Sequence, residues 1–148
     1  MIRGRFGDTS GQPYVEGRLL IKQLKICEFI SFCIDTGSDE TVLLPADSSK
    51  MPLDFSKFKK KTTSCTLNGA CELYSIPATL QFVETDRRIF SYDITLKIAT
   101  IDPILMELPS IVGRNIIDRW SINYCKSKNR LNIKVIDADR VNEIILTP

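Results

Sequence analysis

The sequence predicts an all-β protein of one domain, closed or nearly closed into a barrel. Three observations predict it: apolar residues recur at every second position in several segments, turn-forming residues separate those segments, and only one short stretch has helical character. At 148 residues and 43% hydrophobic content, the chain is long enough for one domain with a substantial core and too short for two.

Taken in order, residues 1–13 are polar and glycine-containing and read as a flexible N-terminal arm, so the domain runs over 14–148. Val15, Gly17, Leu19 and Ile21 fall on one side of the first long strand. Phe29-Ile30-Ser31-Phe32-Cys33-Ile34 is an apolar strand, and after a polar loop the apolar pattern resumes at Thr41-Val42-Leu43-Leu44. Asn68-Gly69 is a strong hairpin signal, because both residue types tolerate positive φ. Ala78, Leu80 and Phe82 follow Pro77, which lacks an N–H and suits the start or edge of a strand. Tyr92, Ile94, Leu96 and Ile98 alternate with Asp93, Thr95 and Lys97, the pattern of a half-buried strand, and Asp86-Arg87-Arg88 supplies the turn before it. The helical stretch is residues 115–120, barely more than a turn. Leu131, Ile133 and Val135 form the last alternating run, after a turn at Lys128-Asn129, and residues 141–148 read as a short apolar tail. Phe55, Phe58, Phe82, Phe90 and Trp120 are expected in the core or as pocket wall.

Composition narrows the chemistry. A net charge of +2 demands neither nucleic acid nor an anionic membrane as partner. The one basic run, Lys57-Phe58-Lys59-Lys60-Lys61, reads as a solvated loop. No apolar run approaches the roughly 20 residues that span a bilayer, and the first residues lack the apolar core of a secretory signal; a soluble, cytoplasmic protein is expected. There are 5 cysteines, at 27, 33, 65, 71 and 125, with no C-x-x-C spacing, and the chain has no histidine. Zinc sites of the Cys/His kind, histidine bases and Ser-His or Cys-His dyads are thereby excluded. The thiols read as reduced and half-buried, although Cys65 and Cys71 flank the Asn68-Gly69 turn in a way that would let them face each other. Hydrolytic chemistry would rest on carboxylates, lysine, or a metal held by oxygen ligands.

The candidate site is Asp35-Thr36-Gly37-Ser38, which follows the apolar strand ending at Ile34 directly. Placing a carboxylate there is costly unless it is hydrogen-bonded or shares a proton. Gly37 permits close backbone approach, and Thr36 and Ser38 supply short hydroxyls for backbone or carboxylate oxygens. The tetrapeptide alone would also suit an ordinary surface turn. Asp8-Thr9-Ser10-Gly11 looks similar, but its order is wrong and no apolar strand precedes it.

The run Cys33-Ile34-Asp35-Thr36-Gly37-Ser38-Asp39-Glu40-Thr41-Val42-Leu43 resembles the catalytic loop of retroviral-type (retropepsin-like) aspartic proteases. A second signature, Ile111-Val112-Gly113-Arg114-Asn115-Ile116-Ile117, follows at the separation of a single-domain member, and the likeness is nearer to prokaryotic members than to viral ones. The resemblance covers roughly residues 14–135. It implies a retropepsin-like barrel with one short C-terminal helix, its active site on the two-fold axis of a homodimer. It implies catalytic roles for Asp35, Thr36 and Gly37: two Asp35 carboxylates share a proton and activate water on a peptide bond. Gly37, Ser38, Asp39 and Val112 would meet substrate, and Arg114 would support the loop by pairing with Asp39. The flap would be the hairpin at Thr66, Leu67, Asn68, Gly69 and Ala70, with Leu67 to Ala70 touching substrate; two glycines of the family's flap turn are replaced here. Neither cofactor nor metal is implied, and the partners are a second copy and a peptide or protein substrate. The alternative is a dimer without catalysis that binds extended peptide as an adaptor.

Overall fold

The computed structural model describes residues 1–58, 61–66 and 69–144, with the backbone alone at 61, 64–66, 69 and 70. The strands in chain order are β1 (Ile2–Arg3), β2 (Arg5–Phe6), β3 (Pro13–Ile21), β4 (Ile26–Ile34), β5 (Val42–Leu43), β6 (Lys61–Thr66), β7 (Gly69–Val83), β8 (Arg88–Ala99), β9 (Ile111–Val112), β10 (Trp120–Cys125), β11 (Arg130–Val135) and β12 (Arg140–Glu143). Among the described residues, two one-turn α-helices interrupt them, α1 (Pro45–Ser48) and α2 (Arg114–Ile117). The helical stretch expected at 115–120 meets α2 only over 115–117, since Trp120 already opens β10, and α1 is not anticipated; it starts on Pro45, a residue whose fixed φ is preorganised for a first helical position.

The larger sheet runs β12-β8-β5-β9-β4-β3-β7-β6, with β2 paired to β3. Because β7 also pairs with β8, the strands β8, β5, β9, β4, β3 and β7 close into a ring. The barrel follows from alternation. Val15, Gly17, Leu19 and Ile21 of β3, Ala78, Leu80 and Phe82 of β7, and Tyr92, Leu96 and Ile98 of β8 all face the interior. Gly17 belongs to that inner row for steric reasons, since a Cβ there would lie 2.8 Å from the Phe82 ring. Phe82, Tyr92 and Trp120 pack edge to face. The polar ends of this cluster are satisfied: Trp120 Nε1 donates to the Tyr92 hydroxyl at 2.7 Å, which donates to the Asp137 carbonyl at 3.1 Å. Burial pushes the Tyr92 phenol up to about 12.

Pro77 lies in the middle of β7, opposite Thr95 of β8, rather than at a strand end. On its other side β7 pairs with β6 only as far as Tyr74 and with β3 only from Thr79. Pro77 occupies the gap between those two partners, a local edge where its missing N–H leaves no ladder bond unmade.

Residues 1–6, expected as part of a loose arm, are docked instead. Ile2 pairs with Ile133 and is 2% exposed, and Gly4 N–H donates to the Leu131 carbonyl at 2.8 Å. The reason is that β1 completes a small sheet, β1-β11-β10, whose inner face belongs to the core. The remainder of the expected arm is a turn: Gly7 N–H bonds the Gln12 carbonyl at 2.9 Å and Gly11 adopts φ +66°. Asp8-Thr9-Ser10-Gly11 is thus an ordinary β2–β3 connection. At the other end, Arg140–Glu143 forms β12 on the edge of β8 rather than a free tail, while residues 145–148 lie outside the described residues. Among the described residues, no helix is long and apolar enough to cross a membrane.

Candidate active site

Asp35 leaves the end of β4 half-buried, and its backbone N–H donates to the Val112 carbonyl at 3.1 Å. The carboxylate turns back on its own loop, where Oδ1 accepts the Gly37 N–H at 2.9 Å, and the Asp35 carbonyl accepts the Ser38 N–H at 3.3 Å. Thr36 and Gly37 are exposed. The loop therefore presents an acid between two exposed residues and a buried strand.

Both arms of the loop are fixed by the second motif. β9 runs parallel to β4, pairing Cys33 with Ile111 and Ile34 with Val112, while its other edge meets β5 at Val42. The chain then enters α2, whose first N–H groups take loop carbonyls: Arg114 N–H donates to Ser38 at 2.8 Å and Asn115 N–H to Asp39 at 3.0 Å. Thr41, 0% exposed, donates its hydroxyl to Asn115 Oδ1 at 2.8 Å and accepts the Gly113 N–H at 3.2 Å. Gly113 is obligatory for this approach, because a Cβ would lie 2.3 Å from the Glu40 carbonyl oxygen. Further along, Ser110 Oγ donates to Asp47 at 2.6 Å and accepts the Leu44 N–H at 2.9 Å, and the Ser110 carbonyl takes the Cys33 N–H at 2.8 Å.

Charges around the loop are already partnered. Arg114 bonds Asp39 with both side chains substantially exposed, which gives orientation more than stability. Lys97 of β8 lies 3.7 Å from Glu40. Burial, with a smaller push from the Asp35 charge, raises the Cys33 thiol, so this nearby sulfur is held protonated and is a poor nucleophile.

Of the residues singled out from sequence, the structure brings Asp35, Thr36, Gly37, Ser38, Asp39 and Arg114 into one loop-and-helix unit. Val112 requires correction: its side chain is 0% exposed and part of the core, so only its carbonyl serves the loop, and half-exposed Ile111 is the β9 side chain that faces outward. Alternation along the strand decides between the two. On either side of the tip expected at residues 66–70, β6 and β7 pair antiparallel, with Thr66 opposite Gly69 and Cys65 opposite Ala70. Leu67 and Asn68 lie outside the described residues, and Gly69 and Ala70 are described by backbone alone. Cys71 pairs with Ser64, so Cys65 and Cys71 are one register step apart and not opposite each other. The sequence reading assigns no role to Thr41, Ser110, Asp47 or Asn115. Thr41 carries a readable signal, a hydroxyl where a buried strand resumes; the Ser110–Asp47 pair carries none, because neither residue type nor spacing marks it.

No family model and no curated protein matches the chain. Among solved structures, it is similar to a retropepsin-like aspartic protease from Rickettsia conorii, with TM-score 0.54 and 24% identity over 88% of this chain and 86% of that one. EIAV protease in complex with an inhibitor also aligns, with TM-score 0.48 and 20% identity over 76% of this chain and 90% of that one.

Proposed function

The chain has the retropepsin-like fold, and from that premise we propose that it is an aspartic endopeptidase acting as a homodimer, with Asp35 of each subunit at the shared axis. The observation that carries this reading is the loop itself. A half-buried carboxylate stands at the tip of a strand while both arms of its loop are tied to one Gly113-Arg114-Asn115 segment. Such fixing suits an acid that must hold position against a substrate.

The chemistry follows from the count of acids. Asp-Thr-Gly occurs once in the chain, so a water-activating pair requires a second copy. Two carboxylates brought together cannot both ionise cheaply, and they share one proton. The ionised one draws a proton from water as water attacks the peptide carbonyl; the protonated one donates to the carbonyl oxygen. The amine then leaves with a proton returned from the pair. Neither a covalent intermediate nor a metal takes part.

The test is incubation of the purified chain with a proteome-derived peptide library from acidic to neutral pH, read by mass spectrometry, beside Asp35→Asn. Internal cleavages by the wild-type protein and none by Asp35→Asn are expected, with the variant remaining folded because the amide keeps the carboxylate's shape. Equal cleavage by both proteins would overturn the mechanism. Retention of peptides without cleavage would instead favour the adaptor reading, which the two replaced glycines of the flap turn support.

A further inference from the structure

The β6–β7 hairpin and the Asp35 loop are separate in sequence, yet one cation touches both. Lys97 lies directly opposite Ser75 in the β7–β8 ladder, and its Nζ donates to Ser75 Oγ at 2.8 Å. The same Nζ stands 3.7 Å from Glu40, and the Lys97 backbone N–H donates to the Thr41 carbonyl at 3.2 Å. Its side chain is only 15% exposed, whereas Glu40 is 49% exposed. A cation so far withdrawn from water needs its polar partners, so neither contact is a casual surface encounter.

The two contacts lead to different places. Ser75 lies on the strand that begins at Gly69 and pairs with β6, and it stands at the border of the gap around Pro77, just past the last β6 pairing at Tyr74. Glu40 is held in the Asp35 loop, where its carbonyl accepts the Ser38 hydroxyl at 2.7 Å and packs against Gly113. Displacing β7 at Ser75 therefore alters the support of the Lys97 ammonium, and through it the support of Glu40.

We propose that Lys97 is a positioning residue that couples the β6–β7 hairpin to the Asp35 loop, through Ser75 on one side and Glu40 on the other. This deepens the peptidase reading and rests on it for its catalytic consequence: whatever displaces β7 at Ser75 would adjust the loop that carries the acid. The physical link itself is independent of what the chain cleaves.

The experiment uses the full chain and the variants Ser75→Ala, Glu40→Gln, Lys97→Met and Lys97→Arg, alone and combined. Backbone hydrogen exchange is followed by mass spectrometry, with turnover of one peptide from the library alongside. Ser75→Ala should speed exchange in residues 35–44, and Glu40→Gln should speed exchange in residues 69–78, each at a distance from its own site. On the Lys97→Met background both remote effects should vanish, and Lys97→Arg should retain them. In turnover, Lys97→Met should lower kcat on the order of tenfold, the scale of ordinary site-to-site coupling, and Ser75→Ala and Glu40→Gln should combine less than additively. Purely local, additive changes in exchange would overturn the coupling. Should Lys97→Met fail to fold, the Ser75→Ala and Glu40→Gln pair still decides, since additivity between them excludes a shared link. A chain that cleaves nothing but shows the remote exchange effects keeps the coupling and loses the peptidase reading; a chain that cleaves but shows only local effects does the reverse.

Discussion

Thr41 and Asn115, 74 positions apart in sequence, are joined by a hydrogen bond of 2.8 Å from the Thr41 hydroxyl to the Asn115 amide oxygen. The same hydroxyl receives the Gly113 N–H, so one buried oxygen closes the Asp35 loop onto the segment that supports it. Thr41→Val keeps the shape and leaves both the Gly113 N–H and the Asn115 oxygen without this partner. A loss of about 1–3 kcal/mol is expected, the cost of stranding buried polar groups. Urea unfolding measures it, and Thr41→Ser, which restores the hydroxyl, should recover most of the loss.

Activity should depend on subunit association. If each subunit supplies one Asp35, specific activity falls as the enzyme is diluted through its dimer dissociation constant. Turnover measured over a dilution series, beside sedimentation at the same concentrations, checks this. A monomer of undiminished activity contradicts the arrangement.

The rate should pass through a maximum with pH. One proton shared between two carboxylates means loss of activity when the pair is fully protonated and again when it is fully ionised. The maximum is expected below neutrality, since the chain has no histidine to titrate near pH 7. Chelators should leave the rate unchanged. A flat profile from acid to neutral pH, or inhibition by a chelator, counts against the carboxylate pair.

Acid stability carries a separate signature, away from the site. Arg140, and then Thr79, bond the Asp93 carboxylate and hold it at about 2, well below its usual range. A carboxylate depressed in the folded state contributes stability above its unfolded value of roughly 3.9, and that contribution is lost as pH falls through the folded value near 2. The pair is half-exposed and screened, so the contribution is small. Asp93→Asn should therefore lower stability slightly at neutral pH, and the difference should shrink between pH 4 and 2. Thermal unfolding over that range reads it; a gap that stays constant with pH would mean the charge is irrelevant.

Much of this architecture was legible in the sequence, because alternation maps directly onto a barrel wall. Val15, Gly17, Leu19 and Ile21 read as one face and are one face. The loop around Asp35 and the Gly113-Arg114-Asn115 segment could likewise be read as one unit, since sequence marks both and the fold joins them. What was not legible depends on pairing at long range. Nothing local in Ile2 says that Ile133 awaits it, and nothing in Val112 says that its neighbour Ile111 faces outward instead. Pro77 is the clearest instance: its residue type announces an edge, yet only the partition of β7 between β6 and β3 shows where in mid-strand such an edge arises.

The pairing of Ile2 with Ile133 also sets an order of events in time. During synthesis, the first strand emerges long before its partner; at about 5–20 residues per second the wait is on the order of ten seconds. Within that interval β3 and β4, neighbours in sequence, can form their hairpin, whereas the strand that pairs with β1 has yet to emerge. Contacts so distant along the chain form slowly, after local ones. The docking of β1 is thus a late lock, and refolding should show β10 and β11 gaining protection before β1 does.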